Sequence, residues 1–190
     1  MQAMPQLRSD AEENRERVRA AARALFSERG LDVAMRDIAR RAEVGPATLY
    51  RRFPTKQILI DEVFADELRS CRAIVDDGCR DPDPWRGFSV VIERLTVQNV
   101  QNRGFVDAFM SASPAAALFT EHRRTLLRML AELGERAKKT GALRSDFVIE
   151  DLVLILMAGR GLSSTTSAHR EASARRFAQL ALDGLRAERG

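Results

Sequence analysis

The apolar residues of this chain recur at intervals of three and four along its whole length, and two-residue alternation is confined to short patches. A repeat near 3.6 residues gathers positions three and four apart on one face of a helix, whereas a half-buried strand needs a period of two. The spacing therefore predicts an all-α protein. A chain of 190 residues holds one good core, or a small module joined to a larger one. Hydrophobic residues make up 45% and charged residues 31%, which is enough apolar material to fold.

Local signals divide the first third into short helices. Ser9 with Glu12 has capping-box spacing, Val18, Ala22, Leu25 and Phe26 share one face, and Gly30 stands where a positive φ ends a helix. A short helix is expected from about Met35 to Ala42 with Ile38, Ala39 and Ala42 inward, then a tight turn at "EVGP" and a second short helix from Ala47 to Phe53. Pro46 suits the first turn of that helix, Pro54 stops it, and Thr55 is placed to N-cap a long helix running to about Asp77. Two short helices joined by a glycine-containing turn, the second one basic, have the layout of a helix-turn-helix.

Charge points the same way. Residues 1–56 carry 12 Lys and Arg against 8 Asp and Glu, while residues 57–190 carry 19 of each, so the whole surplus sits in the first third. That is the balance of a polyanion-binding head on a neutral body. With Leu49 and Phe53 inward, the second short helix presents Pro46, Ala47, Thr48, Tyr50, Arg51 and Arg52 to the outside or the flanks. Small Ala47 permits close approach to bases, Thr48 offers a hydroxyl and a methyl, and Tyr50 can hydrogen-bond a phosphate. Arg51 and Arg52 supply charge. Lys56 begins the next helix, where backbone N–H groups and the helix dipole already favour a phosphate, and Arg36 can act similarly from the preceding helix.

The stretch "MRDIARRAEVGPATLYRRFPTKQILIDEVF", residues 35–64, resembles the helix-turn-helix signature of the TetR family of bacterial transcriptional regulators. Ile38-Ala39, Ala42, Val44, Thr48-Leu49-Tyr50, Phe53 and Lys56 all fall on the family pattern, and the upstream "ALFSERG" agrees. The resemblance implies a three-helix DNA-binding head over residues 8–55 and a helical ligand-binding and dimerisation body over residues 56–190, about nine helices in all. It implies a homodimeric repressor that binds a palindromic operator in double-stranded DNA and is released by a small-molecule effector. Three positions depart from the pattern. Ala34 stands where a threonine N-cap is usual, at a cost of about 0.5–2 kcal/mol unless Asp32 or water replaces it. Glu43 stands where glycine is common, and Gly45 where serine is common.

In the body, "DPDPW" at Asp81–Trp85 breaks the chain, and a helix follows to about Asn102. Its stripe of Phe88, Ile92 and Leu95 continues to Asn99 and Asn102, two amides that need partners from backbone, solvent or a polar ligand. A short helix from Phe105 to Ser111 and a longer one from about Ala115 to Lys139 come next; on the latter His122 shares a face with Phe119, Leu126, Met129, Leu130 and Leu133. Phe88, Asn99, Asn102, Phe105, Phe109, His122, Met129 and Met157 are candidate lining for a mostly apolar effector, or simply core. A helix from near Asp146 is apolar nearly all round, which implies a partner chain on one side. Gly159 and Gly161 would admit close helix approach, and a last helix from about Ala172 carries Ala174, Phe177, Ala178, Ala181 and Leu185 on one stripe. Leu156, Gly159, Gly161, Phe177, Ala181 and Leu185 are thus candidate dimer-interface residues, in keeping with the four-helix interface the family resemblance implies.

Other classes find little support. The longest apolar run, Leu152–Ala158, is far short of a membrane span, and the N-terminal residues show no apolar signal region, so a cytoplasmic protein is expected. Cys71, Cys79, His122 and His169 are scattered without metal-ligand spacing, and no metal or cofactor is expected. "GRGLSS" follows no strand and matches no phosphate-binding fingerprint. Without a nucleophile elbow, a metalloenzyme motif or paired carboxylates, an enzyme is not expected. A helical adaptor that has lost DNA binding is the remaining alternative, to which Ala34 and Gly45 give its only argument.

Overall fold

The computed structural model of the chain describes residues 4–110, 117–164 and 167–187. Among them are ten α-helices: α1 (Met4–Arg29), α2 (Met35–Arg41), α3 (Pro46–Arg52), α4 (Lys56–Val63), α5 (Ala65–Arg80), α6 (Pro84–Gln101), α7 (Arg103–Met110), α8 (Ala117–Lys139), α9 (Ile149–Ala158) and α10 (Ser167–Leu185). A 3-10 turn, Gly159–Ser164, continues directly from α9. The sole extended pairing among the described residues is one antiparallel bridge between Leu143 and Arg186. The all-α expectation holds. Ser111 and Ala115, expected helix ends, lie outside the described residues.

The chain forms two compact units, Met1–Asp66 with Gly104–Thr120, and Glu67–Arg103 with Glu121–Gly190. In the first, the predicted inner face of α1 is buried at Val18, Ala22, Leu25 and Phe26, and Gly30 ends the helix at φ +76° with its N–H on Phe26 O at 3.0 Å. The start differs from the expectation. α1 begins at Met4, so Ser9 lies inside the helix, and Glu12 pairs with Arg15 and Arg52 rather than capping. A proline in the first turn, here Pro5, has no N–H that the helix would otherwise need, so nothing in the sequence forbids the earlier start.

The predicted long helix after Thr55 is two helices. Thr55 does cap α4, accepting from Ile58 N at 3.3 Å, but α4 stops at Val63 and Phe64 leaves helical geometry at φ −111°, ψ 13°. Phe64 is fully buried, with ring centroids 6.1 Å from Phe26, 5.9 Å from Phe105 and 6.1 Å from Phe119. Burying a phenylalanine among three other rings outweighs the loss of one or two helical hydrogen bonds. Gly104 lets α7 close on the end of α1: a Cβ there would lie 2.8 Å from Ser27 Oγ and 3.0 Å from its N.

In the second unit, Asp83 N-caps α6 by accepting from Trp85 N and Arg86 N, as the break at "DPDPW" requires. Arg136 satisfies the end of α5 by donating to Cys79 O at 2.7 Å and Asp81 O at 3.0 Å. α5 and α6 cross with Gly78 against Gly87, so close that a Cβ on Gly78 would sit 2.2 Å from Val91 Cγ2. Within the chain these are the glycines of close approach: a Cβ on Gly159 would make ordinary contacts of 3.5 Å or more, and one on Gly161 would meet nothing within 4 Å. The inner face of α8 is Leu126, Leu130, Leu133 and Ala137, and that of α10 is Ala174, Ala178, Leu182 and Leu185. α9 starts at Ile149 instead of Asp146, because Asp151 turns back to accept from Val148 N and fixes the first turn there. Leu152 is its buried residue, while Leu154 and Met157 stay in solvent, so the face without cover that the sequence implied is present. Among the described residues no helix is long and apolar enough to cross a membrane.

Candidate nucleic-acid interface

The turn between α2 and α3 is set by backbone hydrogen bonds. Val44 N donates to Ala39 O at 3.0 Å and Glu43 N to Arg40 O at 3.2 Å, the paired bonds of a Schellman motif. That motif needs its first residue past the cap in the left-handed region, and Glu43 has φ +54°, the one described non-glycine residue with positive φ. The substitution noted in the sequence thus puts a side chain where glycine carries no steric cost. Gly45 then enters α3 without a side-chain cap, and Ala34 likewise leaves α2 uncapped, Asp32 not replacing the missing hydroxyl.

α3 is held from behind and open in front. Leu49 and Phe53 are buried, together with Ile38, Ala39 and Ala42 from α2 and its end. On the outer side Pro46, Ala47, Arg51 and Arg52 are exposed, Tyr50 is 50% exposed, and Thr48 is partly buried. A half-exposed tyrosine in the middle of a seven-residue helix is not held there by its own core. Arg36 projects from α2, and Lys56 is the first residue of α4, over the N–H groups that Thr55 leaves open. Partial burial lowers the Lys56 pKa, opposed by the charge of Asp32.

The cations of this surface differ in what already holds them. Arg40 pairs with Asp37 at 3.0 Å, Arg41 with Glu28 at 3.3 Å, and Arg52 with Glu12 at 3.8 Å. Among the described residues, Arg36, Arg51 and Lys56 have no carboxylate at ion-pair distance. A cleft of about 370 Å³ runs between α1 and α3, lined by Asn14, Arg15, Thr48, Arg51 and Arg52 over an apolar floor that includes Val18 and Phe53.

The candidate effector residues are dispersed. Phe105 and Phe109 lie in the first unit with ring centroids 5.6 Å apart, and Phe105 is buried in the cluster around Phe64. Phe88 is core, edge-on to Phe147 at 5.4 Å and stacked with Trp85 at 6.2 Å. Asn102 is satisfied within the chain, donating to Glu67 Oε1 at 2.6 Å, and Asn99 is partly buried. The better-embedded amide is one the sequence pattern missed: Gln98 donates to Glu67 O and to Cys71 Sγ and accepts from Ser70 Oγ. Burial pushes the Cys71 thiol up to about 12, so it stays protonated beside that amide. His122 is partly buried with Nε2 inaccessible and without a hydrogen-bond partner among the described residues, Met129 is partly buried, and Met157 is 42% exposed.

Of the candidate interface residues, Gly159 and Leu185 are buried within the chain itself. Leu156, Phe177 and Ala181 are partly buried and Gly161 is exposed. On α9 and α10 the large apolar side chains left in solvent are instead Leu154 at 65%, Leu180 at 54% and Met157. A helix of period 3.6 shows which residues share a stripe and leaves open which stripe its own chain will cover.

Residues 18–63, which contain this whole α2–α3 arrangement, match the family described as bacterial regulatory proteins, tetR family. Residues 83–187, more than half of the chain, match the C-terminal domain of SbtR-like transcriptional regulators. The chain belongs to the TetR family. TetR-family proteins are transcriptional regulators rather than enzymes, and the likeness extends beyond the head. The chain is 30% identical to the TetR transcriptional regulator SCO0520 from Streptomyces coelicolor, covering 92% of this chain and 99% of that one with a TM-score of 0.55. SCO3833, a TetR-family regulator from the same species, is 19% identical and shares the fold over 89% of this chain and 90% of its own at a TM-score of 0.73. An HTH-type transcriptional regulator of Staphylococcus aureus is 40% identical over 63 residues; that match spans 33% of this chain and 34% of the relative.

Proposed function

We propose that this TetR-family chain is a ligand-responsive DNA-binding repressor that holds a palindromic operator as a homodimer and is released by a small-molecule effector. The observation that carries the proposal is the outer face of α3, which leaves Tyr50, Ala47 and Arg51 uncovered and Thr48 partly so, while Leu49 and Phe53 anchor the helix from behind. Such a helix fits a major groove with its N-terminal residues toward the bases. Thr48 and Ala47 would read base edges. Tyr50, Arg36, Arg51, Arg52 and Lys56 would hold phosphates and fix the register. In this reading residues 8–55 form the DNA-reading head, residues 56–190 bind effector and partner, and the protein works in the cytoplasm beside its operator.

The uncovered Leu154 and Met157 on α9 and Leu180 on α10 support a homodimer, since exposed apolar residues are costly unless another surface meets them. A dimer sets two recognition helices roughly 34–36 Å apart, one helical turn of DNA. An effector that binds better to a different spacing then releases the operator by differential affinity. Selection of random duplexes on the purified protein at two salt concentrations, followed by sequencing, tests the proposal. Enrichment of a near-palindrome with a steep salt slope supports it. Absence of enrichment, with salt-insensitive or no retention, overturns it.

A further inference from the structure

Arg51 and Arg52 are adjacent on α3 and both line the cleft between α1 and α3, but their surroundings differ. Arg52 Nη2 lies 3.8 Å from Glu12 Oε2 on α1, whereas Arg51 has no carboxylate at ion-pair distance among the described residues. Glu12 also lies 3.6 Å from Arg15 Nη1, but Arg15 holds a closer partner, its Nε being 2.5 Å from Glu62 Oε1. Arg15 therefore has a nearer carboxylate than Glu12, although Glu62 also lies 3.8 Å from Arg19 Nε. Arg52 has Glu12 as its carboxylate at ion-pair distance among the described residues.

A carboxylate and a phosphodiester present the same chemistry to a guanidinium: anionic oxygens that accept its N–H groups. We infer that Glu12 acts as an internal stand-in for a backbone phosphate, competing with the duplex for Arg52 and so weakening DNA binding at this cleft. The inference rests on the DNA-binding reading and adds to it a residue on α1 that opposes binding. At 3.8 Å the pair is longer than a direct hydrogen bond, and its side chains are 48% and 66% exposed, so a phosphate can displace the carboxylate. Glu12 thus tunes affinity without blocking it.

The test measures binding of a fluorescent mixed-sequence duplex of about three helical turns, roughly 30 base pairs, to wild type, Glu12→Gln, Arg52→Gln and the double variant. Titrations at about 50 and 200 mM salt give the slope of affinity against salt, and far-UV circular dichroism checks that each variant is folded. Glu12→Gln is expected to bind about two- to fivefold tighter at the lower salt, with an advantage that shrinks as salt rises because one more phosphate is engaged. In the Arg52→Gln background the same change is expected to gain nothing. Unchanged affinity for Glu12→Gln, or a gain that persists undiminished without Arg52, would overturn the competition. A folded wild type that binds no duplex at either salt would overturn the DNA-binding reading itself.

Discussion

Gly78→Ala sets two well-known effects against each other at one helix crossing. Gly78 lies in the interior of α5, where alanine is favoured over glycine by about 1 kcal/mol on propensity alone. The new Cβ, however, would lie 2.2 Å from Val91 Cγ2, 2.9 Å from Gly87 O and 3.4 Å from Gly87 C. Carbon atoms pack best at about 3.5–4.0 Å, so the methyl lacks more than an ångström of room on one side and meets backbone on another. Val91 is fully buried, and Arg136 ties down the connection between the two helices. α5 and α6 must therefore part. Overpacking of this kind costs about 1–3 kcal/mol, and the backbone contact places it at or above the upper end. After the propensity gain is subtracted, a net destabilisation of about 2 kcal/mol remains, or a Tm lower by roughly 4–8 °C for a chain of this size. Gly184→Ala in α10 is the control, because a Cβ there meets nothing within 4 Å. It is expected to raise Tm by a degree or two, on the order of 0.5 kcal/mol. Thermal melts followed by far-UV circular dichroism, at one protein concentration, give both shifts. Equal shifts of the same sign would refute the argument, since propensity alone would then account for both glycines.

Three further outcomes are expected. Lys56→Ala should flatten the slope of log affinity against log salt by about 0.9, measured by duplex titration over a salt series; an unchanged slope would exclude a phosphate contact at α4. Thr48→Ala should relax base preference at one position in each half-site of a selected operator, which sequencing of duplexes retained by variant and wild type would show, and identical selections would remove Thr48 from base reading. Glu43→Gly should raise Tm slightly, because the left-handed conformation costs a non-glycine residue about 1–2 kcal/mol while glycine loses about 0.5–1 kcal/mol in chain entropy; a lower Tm would mean that the Glu43 side chain stabilises the turn by more than its backbone costs.

Local signals were the readable ones. The α2–α3 turn, Pro46 at the start of α3, Thr55 as N-cap and Gly30 as terminator are each fixed by residues within four positions of one another, so the sequence carries them directly. What depends on distant partners was not readable. Nothing between Lys56 and Arg80 breaks a helical pattern, and the interruption at Phe64 comes from aromatic rings as far away in sequence as Phe26 and Phe119. Glycines within the chain show the same dependence. Gly159 and Gly161 stand in a run that suggests close packing, but whether a glycine meets another backbone is decided across the fold, as it is at Gly78 and Gly104. Periodicity likewise selected Asn99 on its helix stripe when Gln98, one position earlier, is the amide with three partners.

Net charge shows the same limit at the interface. A surplus of four in residues 1–56 counts every arginine alike. Arg40, Arg41 and Arg52 each lie within ion-pair distance of a carboxylate, so a phosphate gains from them only what remains after that pair is loosened. Arg36 and Arg51 have no such competitor among the described residues, and Lys56 adds its charge to the N–H groups at the start of α4. The positive potential a duplex would meet is therefore concentrated on both flanks of α3 and weaker around the end of α2. Exposed pairs are worth less than about 1 kcal/mol each, so the difference is one of degree. It is still enough to rank the cations: substitutions at Arg36, Arg51 and Lys56 remove charge that no nearby acid holds, and each is expected to cost more duplex affinity than the same change at Arg40 or Arg41.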